Sequence, residues 1–285
     1  MGRFIRKGDR MKRKQRIGII GLGTIGSYVL EAVLSGEIEN TDIGLILVRS
    51  EQSKGIDLIE KYNLEYTTDA EDLLKSDLDI VVETACHQAL LSYGVKILKA
   101  GIDLITLSVG VLSDTSLLNS LIVAAKEGNA IFQVPSGAIG GLDALQTALI
   151  AGVDNVVMTT RKAPIEWAEI PYVAQLGIDL ENMNEEALLF EGPAAEAVIE
   201  FPKNLNIAAA LSLAGIGFEK TVVRIVADPK AEFCIHEIAF KGTAGKVKIV
   251  MENTPLAEEP KSTYMACFSA IAALKRIRAH CRIGT

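Results

Sequence analysis

The sequence predicts an α/β protein: a Rossmann-type, doubly wound parallel sheet, followed by a second α+β domain with a mostly antiparallel or mixed sheet. Three observations predict it. The run Ile17-Gly-Ile-Ile-Gly-Leu-Gly-Thr-Ile-Gly26 places a glycine-rich turn between a short apolar strand and a helix-period segment ending at Leu34. Strand and helix patterns then alternate to about residue 135, which builds a parallel sheet with right-handed crossovers. From about Asp154 the apolar residues recur with period two, which implies a second, β-rich domain.

Each element follows from its local pattern. After the first strand, Gly21 permits a tight turn, Gly23 lets the backbone approach a pyrophosphate and Gly26 allows close helix–strand packing. Thr24 and Ile25 complete the turn, and the N–H groups of the helix start face the anion. Glycines also punctuate ordinary turns, but the strand before and the helix after make this a site for NAD or NADP. Ile43–Val48 reads as the second strand, and it ends in Arg49-Ser50, where an NAD-preferring fold usually carries a ribose-binding acid. Guanidinium and hydroxyl donors suit a 2′-phosphate; Glu51 is the alternative for NAD, and a solvated loop arginine is equally compatible with the pattern.

Glu71–Leu74 reads as a short helix, and Leu78–Val82 as a strand ending at Glu83-Thr-Ala-Cys-His87. The helix Gln88–Ala100 then leads to a strand at Leu104–Ser108. Ligands bind such sheets beyond the carboxyl ends of the strands, so Ala85, Cys86, His87, Ser108 and Val109 are expected near the reactive end of the cofactor. A helix at Ser116–Glu127 and a strand at Ala130–Pro135 follow, and the turn Ser136-Gly-Ala-Ile-Gly-Gly141, a second anion or amide cradle, opens the helix Leu142–Ala151. Period-two strands are Asn155–Arg161, Thr221–Ala227, Glu232–Lys241 and Lys246–Glu252, with an apolar helix at Ile207–Ala214. Ala163-Pro164, Gly192-Pro193 and Asn253-Thr-Pro255 carry loop signals. Ser262–Arg278 has helical spacing behind a Pro260 start signal and is expected to pack back on the first domain. The expected domains are therefore a dinucleotide-binding domain at 15–135, joined by the C-terminal helix 262–280, and a substrate domain at 136–259.

Composition narrows the classes. The 285 residues are 49% apolar with a net charge of −7, enough apolar material for two cores. No run reaches the roughly 18 uncharged residues of a membrane span. Residues 1–14 form a basic stretch, read as a disordered leader, with Met11 as an alternative start to Met1. No basic face interleaved with aromatics appears elsewhere, so nucleic acid is not an expected partner. Cys86, Cys234, Cys267 and Cys281 lack metal-ligand or disulfide spacing, so no metal is expected and a reducing cytoplasm fits.

Candidates for chemistry are few. Of three histidines, His280 lies in a basic C-terminal stretch, and His87 stands at a strand end where it touches nicotinamide or merely starts a helix. Alternation places His236 on one strand face with Cys234, Ile238 and Phe240, shielded from solvent, where a satisfied core histidine is the commoner role. Asn204 and Asn206 precede an apolar helix, either as an N-cap or with an amide directed to a nicotinamide carboxamide or a substrate carboxylate. A dicarboxylate would need cationic or polar donors; Ser136, Arg161, Lys162, Lys203, Asn204, Lys241 and Thr243 are candidates.

The chain resembles the L-aspartate dehydrogenase family along nearly its whole length after the leader. The resemblance runs through GLGTIG, VVETACH, SVGVLSD, PSGAIGGLDAL, TTRKAP, FPKNLNIAAALSLAG and the HEI at His236. It implies that His236 is the catalytic histidine and that Ala138 and Asn206 are cofactor-binding. It further implies oxidation of L-aspartate to iminoaspartate, which water converts to oxaloacetate and ammonia, with the imine also able to feed NAD synthesis. We expect a homodimer. Alternatives on the same architecture are another amino-acid dehydrogenase or imine reductase, or a non-catalytic NAD(P)-binding regulator.

Overall fold

The computed structural model describes residues 13–202, 204–259 and 262–284. Residues 1–12 of the expected leader, with Met11, and also Lys203 and Pro260, lie outside the described residues. The chain divides into two compact units, one taking the chain to Ser108, Asp114–Pro135 and Cys267–Arg282, the other Val109–Ser113, Ser136–Ala266 and the last three residues.

The first unit is the expected parallel sheet. Its elements are β1 (Gln15–Ile20), α1 (Thr24–Leu34), β2 (Thr41–Leu47), α2 (Ile56–Tyr62), β3 (Tyr66–Thr67), α3 (Ala70–Lys75), β4 (Ile80–Glu83), α4 (His87–Lys99), β5 (Asp103–Thr106), α5 (Thr115–Gly128) and β6 (Phe132–Gln133). The strand order is β3-β2-β1-β4-β5-β6, and all pairs are parallel. The order reverses direction beside β1, the position at which such sheets bind ligands. Central strands are apolar because helices cover both faces: Ile17, Ile19, Ile46, Ile80, Val82 and Ile105 are fully buried. Asp69 caps α3 by accepting from the Glu71 N–H, and Asp114 caps α5 from the N–H groups of Ser116 and Leu117.

The second unit holds α6 (Leu142–Leu149), β7 (Val153–Lys162), α7 (Pro171–Gln175), β8 (Ala187–Pro193), α8 (Ala194–Glu200), α9 (Asn206–Ala214), β9 (Thr221–Ala227), β10 (Cys234–Gly242) and β11 (Gly245–Asn253). Its five strands run β11-β10-β7-β9-β8, antiparallel except for the β7–β9 pair, so the sheet is mixed. Alternation along β7 buries Val156, Met158, Thr160 and Lys162, and along β10 it buries Cys234, His236, Ile238 and Phe240. The chain then returns to the first unit in α10 (Tyr264–Arg278), whose Ala270, Ile271, Ala273 and Leu274 join the core formed by Val29, Leu30 and Val33 of α1.

Several sequence expectations need correction. The strand read at Ala130–Pro135 shrinks to Phe132–Gln133. Gly192-Pro193, read as a loop, ends β8; β8 is an edge strand, where a proline's missing N–H leaves no ladder bond unmade. The short α2, α7 and α8 went unread because each offers too few turns to establish a period.

Candidate functional site

The glycine turn is built for close backbone approach. Gly21 holds φ +84°, and a Cβ there would lie 2.6 Å from that of Ala85. A Cβ at Gly26 would overlap the Gly21 carbonyl oxygen and come within 2.9 Å of Thr84 Oγ1. Thr84 itself donates to the Gly21 carbonyl at 2.8 Å, fixing the turn from β4. By contrast nothing lies within 4 Å of a Cβ at Gly23, and this residue caps α1 with no side chain on the helix N–H groups. A crowded turn beside an open, donor-lined helix start fits a pyrophosphate. Thr24 and Ile25 begin the helix. Arg49 and Ser50 follow β2 after Val48; Arg49 is exposed, and Ser50 is tied back through its N–H to Ser53 Oγ.

At the end of β4 the sequence concealed a residue. Glu83, 1% exposed, accepts from the N–H groups of Ala85 (2.8 Å) and Cys86 (2.9 Å) through Oε1. The Ser108 hydroxyl also donates to Oε1, at 3.1 Å, and the Thr106 hydroxyl to Oε2 at 2.6 Å. A buried carboxylate with four donors is satisfied without a cation. It fixes the turn that carries Ala85, Cys86 and His87 against the end of β5. Ala85 and Cys86 are exposed and His87 is half-buried at the first position of α4. The available signal was a lone acid closing the run Ile80-Val-Val-Glu83.

The second unit holds a buried cluster of titratable side chains. His236 is 3% exposed and pairs across the sheet with Thr160 on β7 and Met251 on β11. Its Nδ1 lies 3.2 Å from Thr160 Oγ1 and its Nε2 lies 3.3 Å from Cys234 Sγ. Burial, and secondarily the charge of Lys162, pushes the imidazole down to about 3, so the ring is uncharged at neutral pH. Burial likewise pushes the Cys234 thiol up to about 11, so it stays protonated. Lys162, 4% exposed, sits 3.1 Å from Glu166 Oε2, in hydrogen-bonding reach of Cys234, and over the Trp167 ring at 5.5 Å. Trp167 is fully buried, donates Nε1–H to the Val226 carbonyl and packs edge-on to Phe201, which fixes the 3-10 turn Pro164–Trp167 that delivers Glu166.

The other predicted residues separate into two groups. Asn206 is the first residue of α9, with Leu205 rather than either asparagine as the cap, and its Oδ1 accepts from the Gly110 N–H at 2.8 Å. Ala138 is buried, and its carbonyl accepts from Asn253 Nδ2 at 3.0 Å; Gly140 of the same turn, Ser136–Gly141, approaches Met251, the cross-strand partner of His236. Ser136 and Asn204 are half-buried. Thr243 and Lys241 are not part of the cluster: they sit at the β10–β11 turn, seven and five residues from His236, or about 23 and 16 Å at the rise of a strand. Arg161 points from the opposite face of β7 and pairs with Glu186 and Asp228. Among the described residues no group of acids, histidines and cysteines has the arrangement of a metal site.

A Rossmann-type unit with an open glycine cradle, in one chain with an α+β unit that carries an uncharged, shielded imidazole, defines the class of nicotinamide-dependent dehydrogenases. Residues 21–135 match the model described as homoserine dehydrogenase, NAD binding domain, and residues 143–277 that of aspartate dehydrogenase, C-terminal. The chain is 43% identical to the L-aspartate dehydrogenase of Methanosarcina mazei over 95% of its own length and 99% of the relative's. It is 39% identical to that of Ralstonia pickettii, over 93% and 97%. The crystal structure of aspartate dehydrogenase from Thermotoga maritima superimposes with a TM-score of 0.73 at 27% identity, covering 95% of this chain and 99% of that one. The chain belongs to the L-aspartate dehydrogenase family.

Proposed function

We propose that the chain interconverts L-aspartate and iminoaspartate with NAD or NADP, the imine going on to oxaloacetate and ammonia. The turn Gly21–Gly26 holds the pyrophosphate through its backbone and the start of α1. Arg49 and Ser50, at the end of β2, offer donors to a 2′-phosphate, which supports use of NADP. Ala85, Cys86 and His87 stand at the end of β4, and the family resemblance adds Ala138 and Asn206 to the cofactor residues. A nicotinamide held there would supply the acceptor for the hydride of the substrate Cα–H.

The carrying observation is the state of His236. An uncharged imidazole can accept a proton, and the substrate amino group must lose one as the imine forms. Once that proton has passed to solvent, the same ring serves as base for the water that converts imine to oxaloacetate. Lys162 supplies cationic recognition of a carboxylate, with Ser136 and Asn204 as polar donors. Among the described residues no helix is long and apolar enough to cross a membrane, and the reading places the protein in the cytoplasm with no nucleic-acid partner. The outer face of the second sheet carries Val157, Ile235, Ala239 and Val250, none of them buried, which supports a homodimer.

The test is the initial rate, followed by absorbance of reduced nicotinamide, with L-aspartate in one direction and oxaloacetate plus ammonia in the other, each with both cofactors. Turnover of aspartate above a panel of other amino acids is expected. Nucleotide binding without turnover of any of these acids overturns the proposal.

A further inference from the structure

Four cationic side chains came out of the sequence as carboxylate candidates, and their positions differ. Arg161 is already paired on the outer face, Lys241 stands at a distant hairpin, and Lys203 lies outside the described residues. Lys162 alone of the described three shares the buried face of the sheet with His236. Its surroundings are unusual for a structural ion pair. Glu166 Oε2 stands 3.1 Å from the ammonium, yet that buried oxygen accepts no hydrogen bond, so the pair is held by charge without aligned donors. A buried ammonium so weakly satisfied retains donor capacity for a further acceptor.

We propose that Lys162 receives one carboxylate of the dicarboxylate substrate and thereby couples the substrate's arrival to the proton affinity of His236. This deepens, and rests on, the reading of the site given above. The charged and titratable groups around the ring are few: Lys162 from β7, Glu166 from the 3-10 turn and Cys234 from β10, while Thr160 of β7 and Met251 of β11 carry no charge. Lys162 disfavours the imidazolium, and Glu166 stands beside the ammonium rather than against the ring. An arriving carboxylate cancels the ammonium field and adds a negative charge, and both changes favour a protonated ring. The base is thus weak in the empty site and strengthens when an acid of the right charge is seated.

The test uses succinate, a dicarboxylate without an amino group to oxidise, and the imidazole ¹⁵N resonances of the whole protein, which has only three histidines. In the wild-type chain, saturating succinate is expected to raise the pH at which His236 titrates by about one unit or more. Lys162→Met should abolish that shift and raise KM for aspartate about tenfold or more, with a smaller change in kcat. Lys162→Arg should retain part of both. Glu166→Gln, which leaves the ammonium in place without its counter-charge, should tighten succinate about tenfold, and this holds the proposal to account even if Lys162→Met does not fold. A Lys162→Met protein with the wild-type succinate shift, or a Glu166→Gln protein that binds succinate no better than wild type, overturns the coupling. Loss of aspartate turnover in a wild-type chain that still shows the shift would instead overturn the substrate assignment.

Discussion

The two units solve the problem of holding polar chemistry in opposite ways. In the first, the proposed ligand donors are main-chain N–H groups of a turn open at Gly23, and side chains are chiefly kept away, by glycine at 21, 23 and 26. In the second, the proposed reactive groups are side chains withdrawn onto the inner face of a sheet, where burial is the largest influence on their protonation. A backbone site tolerates exposure because its dipoles need no tuning; an acid–base site needs shielding because desolvation is what moves a pKa.

That contrast can be broken most sharply at His236. His236→Ala is expected to lower turnover by about a hundred- to ten-thousand-fold while cofactor affinity, measured by quenching of protein fluorescence, stays within about twofold. Equal loss of both would mean that the ring is merely structural. Next in size, Glu83→Ala strands four donors, those of Ala85, Cys86, Thr106 and Ser108, and should cost about 3–5 kcal/mol in a urea unfolding experiment. Little change would show that solvent replaces the carboxylate.

Gly26→Ala should weaken cofactor binding about tenfold to a hundredfold, since the new methyl overlaps the Gly21 carbonyl, with kcat at saturation little altered. The second unit should also carry an acid liability at His236. As pH falls below the ordinary imidazole value of 6.5, the unfolded chain takes up the His236 proton first, because the folded ring waits until about 3. This residue's contribution is therefore present above about pH 6 and is lost at about 1.4 kcal/mol per pH unit down to about pH 3. Denaturation midpoints at pH 6, 5 and 4 compared with His236→Gln should isolate that slope; parallel curves would refute it. The smallest effect is expected at Arg49: Arg49→Ala should raise KM for NADP about threefold to tenfold and leave NAD unaffected, and an equal effect on both would remove Arg49 from the cofactor site.

How much was legible follows the same division. The glycine turn was readable because backbone requirements are written as residue type at fixed offsets. The inward face of β10 was readable from period two, which placed Cys234, Ile238 and Phe240 with His236. Thr160 and Glu166 were not, since they reach the ring's surroundings by strand pairing across 76 residues and by a 3-10 turn set by the packing of Trp167. Period and spacing report only local order; register between distant strands is fixed by tertiary packing. Glu83 escaped for the same reason, its four donors coming from two different strand ends.

The helix Tyr264–Arg278 has a consequence during synthesis. Its Ala270, Ile271, Ala273 and Leu274 close the core beside Val29, Leu30 and Val33, residues that leave the ribosome well over two hundred positions earlier. The nucleotide-binding half therefore waits, with an apolar flank bare, while the whole of the other half is translated. A nascent chain in that interval is a natural client for a chaperone, and a release of translation before residue 262 leaves that core short of one helix.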